Sequence, residues 1–200
     1  MSNEKRKYEL KARAENQDRT RERIVAATAE LHEEVGPART TVAEIARRAG
    51  VQRLTVYNHF PAEAQLFAAC SAHWLSGHPP PDPTPALALE DAAERLRAVL
   101  VGLYGWFRAN APMQANIQRD RHLLPALDAL LRDHSDADLD AMATALAGGF
   151  QPQGSRAPAA RATARLALDF WTWRRLSDEH LDDAAAADLM VEAVRATARG

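Results

Sequence analysis

The segment from Thr40 to Pro61, TTVAEIARRAGVQRLTVYNHFP, restricts the fold most, because it places a glycine between two short helical patterns. Thr41 can cap the first helix, and Glu44, three residues later, can complete a capping box. Gly50 follows at a position where a left-handed backbone conformation carries no side-chain strain. The next pattern, Gln52 to Phe60, is far shorter than the ~12 to 15 residues at which isolated helices become marginal. This short helix must therefore pack against neighbouring helices.

Two helices joined by a glycine-containing turn form the helix-turn-helix pattern, whose second helix enters the major groove of DNA. Val56 and Phe60 are four residues apart, so both can anchor the short helix to the core. Its remaining side chains then face outward. We predict DNA contacts by the following residues: Thr40, Thr41, Gln52, Arg53, Leu54, Thr55, Tyr57, Asn58 and His59.

These side chains suit two kinds of contact with DNA. Arg53, Thr55 and Asn58 can hydrogen-bond to base edges, and Leu54 can contact a thymine methyl group. The others can donate to phosphate oxygens, among them Thr41, Tyr57 and His59. The alternative is structural, since the same three side chains could cap or line a three-helix core.

The segment resembles the N-terminal domain of the TetR (tetracycline-repressor) family. The matching stretches are Ile24 to Gly36, TTVAEIARRAGV, and TVYNHFP followed by Leu66 and Phe67. The resemblance implies a three-helix DNA-binding head, joined by a fourth helix to a helical ligand-binding domain. It also implies a dimer that usually represses transcription and is released by its ligand.

The sequence departs from the family pattern at Gln52, at Leu54 and in the region of Glu63 and Ala64. Gln52 stands where serine is common, and Leu54 where a small residue is frequent, so the DNA sequence read should differ from that of relatives. Glu63 and Ala64 occupy a region where many members carry a phosphate-contacting lysine. A basic arm containing Lys5, Arg6 and Lys7 can compensate by following the DNA backbone or minor groove; the alternative is that this arm is disordered.

The net charge of −2 conceals an asymmetry along the chain. Residues 1–60 hold 12 Lys and Arg against 9 Asp and Glu, whereas residues 61–200 hold 13 against 18. Attraction to a polyanion is therefore expected at the N-terminal end. The first residues are charged and lack the apolar run of a signal peptide, and we expect a cytoplasmic protein without membrane spans.

Helical periodicity dominates, which predicts an all-α fold with four regions. We expect a flexible basic arm over residues 1–19, a helix-turn-helix domain over 20–76 and a proline-rich linker over 77–86. A helical domain for effector binding and dimerisation should follow over 87–200. Its last helices are predicted over 157–176 and 183–198, and their many apolar residues favour a homodimer through residues 157–198.

Several aromatic and polar residues of the second domain have the composition of a ligand pocket, which is commonly apolar with a few polar groups. We predict that a small, largely apolar effector contacts Trp74, Tyr104, Phe107, Met113, Asn116, Asp120 and Trp171. The alternative for each aromatic residue is an ordinary place in the core.

Other function classes have little support in the sequence. We find no nucleophile elbow, phosphate-binding loop or His-Glu-x-x-His pair, so no catalytic residue, metal site or cofactor is predicted. The single cysteine, Cys70, excludes an internal disulfide and favours a buried thiol. One alternative remains, a helical protein-interaction module whose helix-turn-helix no longer binds DNA.

Overall fold

The structure, a computed structural model, describes residues 3–199, and the side chains of residues 3–6 and 9 lie outside the described part. The predicted contributions of Lys5 and Arg6 therefore fall outside it as well. Within the described residues the chain is helical and contains no strand, which confirms the all-α prediction. It divides into two compact units, residues 1–78 with 119–130 and residues 79–118 with 131–200.

The first unit contains the helix-turn-helix and is built on four helices. α1 packs against α2 and α4, and α3 packs against α2. The unit also contains a short 3₁₀ turn at Pro37–Arg39 and the segment around a second 3₁₀ turn, Arg121–Leu123. The helices are α1 (Asn3–Glu34), α2 (Val42–Ala49), α3 (Arg53–His59) and α4 (Glu63–Gly77).

α1 corrects the prediction of a flexible arm over residues 1–19, because the helix begins at Asn3 rather than at Thr20. The segment from Asn3 to Arg19 contains no glycine, proline or β-branched residue and is rich in good helix formers. The rest of α1 supplies the nucleus, so extension toward the N-terminus avoids the unfavourable nucleation step. Charge mixing alone was a poor guide to flexibility here.

The core of the first unit lies where α1, α2 and α3 meet. Ile24, Leu31, Ile45 and Val56 are buried there, as the helical spacing predicts. Thr28 is also buried, and its hydroxyl donates to the carbonyl of Ile24 at 2.7 Å, so no polar group of that side chain is left unsatisfied. Elsewhere in the unit Cys70 is buried, which confirms the expected thiol environment.

The second unit is a helical bundle in which α12 packs on α10 and α6, and α9 packs on α10. Its core combines leucines, valines and alanines with an aromatic group formed by Tyr104, Phe107, Phe170 and Trp173. The helices after α4 are α5 (Thr84–Leu87), α6 (Ala92–Ala109), α7 (Ala111–Asp120), α8 (Pro125–Leu131), α9 (Ala137–Gly148), α10 (Arg156–Ala167), α11 (Phe170–Asp178) and α12 (Asp183–Arg199); the ends of α7 and α8 cross the boundary between units.

Two predicted boundaries in this region were wrong. The predicted helix over 157–176 is broken into α10 and α11, since the Asp169 carboxylate accepts from the amides of Trp171 and Thr172 and starts a new helix. The predicted linker over 77–86 contains the start of α5. Among the helices described, none is both long enough and apolar enough to cross a bilayer.

Candidate functional site

α3 separates an anchoring face from an exposed face. Val56 is 1% exposed and Phe60 is also buried, which confirms their predicted anchoring role. Each contributes roughly 1.5 to 3 kcal/mol through burial. On the other side Leu54 is 65% exposed and Tyr57 is 54% exposed. A large aliphatic and a large aromatic side chain held in solvent on a two-turn helix indicate a surface made for a partner.

The remaining predicted residues of α3 divide by exposure. Gln52, Arg53 and Asn58 are exposed, whereas Thr55 and His59 are half-buried. Gln52 precedes the helix as its N-cap residue but makes no side-chain capping bond. Arg53 therefore opens the helix with its charge in solvent.

The turn before α3 has the predicted backbone geometry. Gly50 adopts a left-handed conformation with φ 63° and ψ 42°, and its amide donates to carbonyls at the end of α2. This turn ends α2 and directs the chain into α3.

The N-terminus of α2 carries the two predicted threonines. Thr41 accepts a hydrogen bond from the amide of Glu44 at 3.2 Å, so its own hydroxyl hydrogen stays available to a phosphate oxygen. Only half of the predicted capping box forms, because the Glu44 carboxylate binds Arg47 instead, at 3.1 and 2.5 Å. The Thr40 hydroxyl donates to the carbonyl of Gly36 at 2.9 Å and is thereby used within the protein.

The arginines of α2 are neutralised by carboxylates rather than left for DNA. Arg48 forms a two-pronged pair with Glu34 at 2.6 and 2.7 Å, and the hydrogen bonds raise the pKa of its guanidinium. The carboxylate of Glu44, held by Arg47, has a pKa below its usual value for the same reason. The positive potential of this surface must therefore come from α1 and α3.

α1 borders the exposed face of α3. A polar surface depression of about 420 Å³ lies between them, and the guanidinium of Arg21 sits 4.4 Å from the centre of the Phe60 ring. Sequence patterns did not predict the contribution of α1, because only contact across the fold shows it. The depression is lined by Gln17, Asp18, Arg21, Thr55, Asn58 and His59.

The residues predicted to bind an effector fall in both units and are described unit by unit. Trp74 and Asp120 belong to the first unit, and Tyr104, Phe107, Met113, Asn116 and Trp171 to the second. Trp74 is buried at the end of α4 with its ring stacked on His78, 4.6 Å between centres.

Asp120 is buried and bonded within the first unit. Its carboxylate accepts from the amide of Ala38 at 3.0 Å and from the guanidinium of Arg119 at 2.7 Å. Arg119 also donates to the carbonyl of Val35 at 3.2 Å. Burial opposes ionisation, but these hydrogen bonds leave the pKa of Asp120 below its usual value. The carboxylate thus fixes the loop after α1.

In the second unit two predicted effector residues form part of the core. The Tyr104 hydroxyl donates to the carbonyl of Ala167 at 2.8 Å, and burial raises the pKa of this phenol. The Phe107 ring meets Phe170 edge to face, with 5.4 Å between centres, and lies 5.8 Å from Trp173. Met113 is buried and Asn116 half-buried.

Trp171 is the exposed member of this aromatic group, with 47% of its surface accessible. Its ring packs on Phe170, 5.0 Å between centres, and borders an open surface depression of about 410 Å³. Arg174 and Arg175 also line the depression, and sequence patterns predicted neither. Their position one and two residues after the buried Trp173 on α11 is the signal that could have found them.

Comparison with known proteins supports the assignment of a helix-turn-helix to the first unit. The family described as "Bacterial regulatory proteins, tetR family" matches residues 24–70, which contain the helix-turn-helix. Among curated proteins none matches the chain in sequence.

Two solved structures share the fold. A TetR-like transcriptional regulator from Rhodococcus sp. RHA1 matches with a TM-score of 0.56 at 18% identity, over 88% of this chain and 93% of that chain. A transcriptional regulator from the same organism matches with a TM-score of 0.58 at 24% identity, over 90% and 98% of the two chains. The family match at residues 24–70 and the helix-turn-helix found there identify this part of the chain as a DNA-binding domain of the tetR family of bacterial regulatory proteins.

Proposed function

We propose that this regulator is a cytoplasmic, ligand-responsive repressor that binds a palindromic operator as a homodimer. The observation that carries the proposal is the division of α3, in which Val56 is buried while Leu54 and Tyr57 project into solvent. A short helix anchored in this way fits the width of the major groove. We assign the protein a regulatory role and no catalytic one.

Base reading is assigned to the exposed face of α3. Arg53 can donate two hydrogen bonds to guanine, Asn58 can pair with adenine, and Leu54 can contact a thymine methyl group. Thr55 and Gln52 lie at the two flanks of this face and can bond to either base edges or sugars. Each well-formed two-point contact discriminates against the wrong base by about 1 to 3 kcal/mol.

Register on the duplex is assigned to the groups that can reach phosphates. Tyr57 and His59 can donate from α3, and Thr41 can donate from the start of α2, where the helix dipole also favours an anion. Thr40 supports this position through its bond to Gly36. None of these contacts depends on the base sequence.

Support for a homodimer comes from the last three helices. Leu166 on α10 and Leu189 on α12 are large apolar side chains that are exposed in the single chain, 58% and 49% respectively. A twofold dimer through residues 157–198 would cover them and set two recognition helices roughly 34 to 36 Å apart, or a multiple of that distance. Gel filtration at micromolar concentration should therefore show a dimer, and a stable monomer would contradict it.

For the effector we propose a small, largely apolar molecule bound at the aromatic group of the second unit. Trp171 and its open depression offer the entry, with Tyr104, Phe107, Met113 and Asn116 as the inner residues, while Trp74 and Asp120 keep structural roles in the first unit. Binding can release DNA only through a difference in affinity between two states of the protein. α4 leads from the first unit into the second and is the expected lever, with couplings typically of about 1 to 3 kcal/mol.

The decisive experiment selects bound duplexes from a random pool and measures their affinity at several salt concentrations. Asn58→Ala should relax preference at particular base pairs by about 1 to 3 kcal/mol, whereas Tyr57→Phe should weaken all sequences alike. Affinity must also fall steeply with salt, since phosphate contacts release counterions. Equal losses at every operator position for Asn58→Ala would remove its base-reading role.

A ligand screen on the DNA-bound protein then tests the effector site. Trp171→Ala should shift the concentration of compound at which DNA is released. Operator affinity measured without the compound should stay unchanged. Unchanged ligand responses in that variant, and in Tyr104→Phe, would place the effector elsewhere.

A further inference from the structure

The loop between α1 and α2 is held by a residue that lies far away in the sequence. α1 ends at Glu34 and α2 begins at Val42, and the amide of Ala38 in the loop donates to the Asp120 carboxylate at 3.0 Å. Asp120 is the last residue of α7. The segment 119–130 belongs to the first unit, although the chain before and after it belongs to the second. The first unit therefore includes a segment supplied by the chain of the second.

The end of α7 holds this loop on both sides of Gly36. Before the glycine, the Arg119 guanidinium donates to the carbonyl of Val35 at 3.2 Å, and after it the amide of Ala38 donates to Asp120. Arg119 and Asp120 are also joined to each other at 2.7 Å. Asp120 is 3% exposed, and a Cβ on Gly36 would overlap both side chains. Burying a carboxylate is costly without such partners, so the loop and the end of α7 hold each other in one arrangement.

Hydrogen bonds inside the loop carry this position forward to α2. The carbonyl of Gly36 accepts from the amide of Arg39 at 3.2 Å and from the Thr40 hydroxyl at 2.9 Å. These bonds close a 3₁₀ turn over Pro37–Arg39, directly before Thr40 and the N-cap residue Thr41. A displacement of this turn therefore moves the start of α2.

Thr41 is the group at the start of α2 to which the proposed function assigns a phosphate contact. It is exposed, and its oxygen accepts from the amide of Glu44 at 3.2 Å, which leaves the hydroxyl hydrogen for a phosphate. A hydroxyl hydrogen bond requires an oxygen-oxygen distance of about 2.5 to 3.0 Å and weakens steeply with misalignment. The phosphate contact therefore depends on where the loop places α2.

We infer that Asp120 is a positioning residue for DNA binding, because it fixes the loop that sets where Thr41 meets a phosphate. The inference rests on the proposed function, which supplies the DNA contact of Thr41. Asp120 acts through the backbone of Ala38 and not by touching the duplex. Its effect should therefore be the same for every base sequence.

The sign of the effect separates this role from simple electrostatics. Loss of the Asp120 carboxylate leaves the first unit one charge more positive, and a more positive surface attracts a polyanion more strongly. Electrostatics alone would thus tighten DNA binding in a variant without this carboxylate. Positioning predicts the opposite, weaker binding despite the added positive charge.

The test uses the full-length protein with a duplex selected from the random pool and a duplex of unrelated sequence. Asp120→Ala removes the acceptor of Ala38, whereas Asp120→Asn keeps an oxygen that can accept this bond and gives up the charged pair with Arg119. Val25→Ala is the control for stability, since this side chain is buried within α1 and its truncation leaves the loop intact. Thr41→Asp keeps a capping oxygen but lacks the hydroxyl donor, and it is combined with each Asp120 variant.

At a temperature where the compared variants are folded, we expect Asp120→Ala to bind both duplexes several-fold more weakly. Its salt slope should match that of the wild type, because no cation is removed. Asp120→Asn should recover part of the lost affinity, and Val25→Ala should bind as the wild type does. In the Thr41→Asp background neither Asp120 substitution should weaken binding further.

Wild-type or tighter binding by Asp120→Ala and Asp120→Asn would overturn the inference, as would equal weakening by Val25→Ala or an undiminished loss in the Thr41→Asp background. A loss confined to particular base pairs would also contradict it. Should Asp120→Ala fail to fold, Asp120→Asn must still bind more weakly than the wild type for the inference to stand. Failure of the wild type to bind any selected duplex would instead contradict the proposed function itself.

Discussion

Two tyrosines that the sequence predicts as functional have opposite surroundings in the two units. Tyr57 on α3 is 54% exposed, whereas Tyr104 on α6 is fully buried, 0% exposed, and its hydroxyl is bonded to Ala167. In the first unit the predicted site stands on the outside of a helix whose anchors point inward. In the second unit most of the predicted effector residues are buried, and Tyr104 and Phe107 pack in its core.

This difference shows what a local pattern can reveal. On a helix of two turns, the positions of two buried residues determine which other residues are exposed. In a bundle of longer helices, an aromatic residue at helical spacing is equally compatible with a pocket and with a core. The contacts between distant segments decide between them, as Phe107 against Phe170 demonstrates.

The largest effect that tests this contrast is expected within the first unit. Phe60→Ala should lower the free energy of unfolding by about 3 to 5 kcal/mol, because it empties a buried site and removes the ring beneath Arg21. Leu54→Ala, on the exposed face, should change stability by no more than about 0.5 kcal/mol yet reduce operator affinity. Urea unfolding measures both, and similar losses of stability would contradict the division of α3.

A buried histidine should make the first unit sensitive to acid. His32 packs against Phe67 and lies 3.6 Å from the Cys70 sulfur, and burial lowers its pKa from 6.5 to about 4, partly opposed by the charge of Asp120. Because the folded pKa lies below the unfolded one, the unfolded chain binds more protons between these values. Stability should therefore fall by up to about 3 kcal/mol as the pH drops from 6.5 to 4.

The second unit contains a group that makes stability sensitive to base rather than to acid. Burial, with the charges of Asp169 and Asp183, raises the pKa of Tyr104, so the contribution of this phenol to stability is present at neutral pH and declines only above pH 10.

The acid sensitivity of His32 is tested by measuring the denaturant midpoint at several pH values between 4 and 7. The dependence of the midpoint on pH should disappear in His32→Leu and remain in His73→Leu, because the His73 side chain is exposed. An unchanged slope in His32→Leu would assign the acid sensitivity to other groups.

Substitution of Gly36 tests the contact between the loop after α1 and Asp120. Gly36 has φ 94° and ψ 156°, a conformation strained for other residues, and a Cβ there would overlap Arg119 and Asp120. Gly36→Ala should cost about 1 to 3 kcal/mol from backbone strain alone, with further loss from displacing the carboxylate from Ala38. Gly50→Ala shares positive φ but meets no atom within 4 Å, so it isolates the backbone cost, about 1 to 2 kcal/mol. Equal losses would show that the Asp120 contact contributes little.

The helices of the first unit could be predicted from sequence because their signals are local. Thr41 and Gly50 mark the two ends of α2, and both act as predicted. The helical extension over residues 3–19 is hidden from a reading of charge, because mixed charges suggest flexibility although the segment is rich in good helix formers. The contact of Asp120 with Ala38 joins residues 82 positions apart, and no local signal announces it.

In the second unit the packing partners were beyond the reach of periodicity. Alanine-rich helices have no sharp apolar stripe, so the break at Asp169 was hidden within an apparently continuous pattern. The same break puts Phe170 and Trp173 inside and Trp171 outside. A single capping aspartate thus decides which of these aromatic residues is exposed.

The two tyrosines themselves give a paired test. Tyr104→Phe should cost about 1 to 3 kcal/mol of stability, because the Ala167 carbonyl is left without its donor in the core. Tyr57→Phe should leave stability unchanged within about 0.5 kcal/mol and weaken operator binding instead. Thermal unfolding and operator titration of both variants separate the two effects. Loss of stability in Tyr57→Phe would mean that its hydroxyl serves the fold.

The smallest effect concerns a glycine whose substitution should have the opposite sign to that of Gly36. Gly105 lies inside α6 on an exposed position, and a Cβ there meets no atom within 4 Å in the described structure. Alanine restricts the unfolded chain more than glycine does, so Gly105→Ala should stabilise the protein by about 0.5 to 1 kcal/mol. Thermal unfolding of this variant at two protein concentrations measures the change. A destabilisation that grows with concentration would show that this face of α6 is covered by a second copy, and the contrast between an outward-facing first unit and an inward-packed second unit would then need to include that interface.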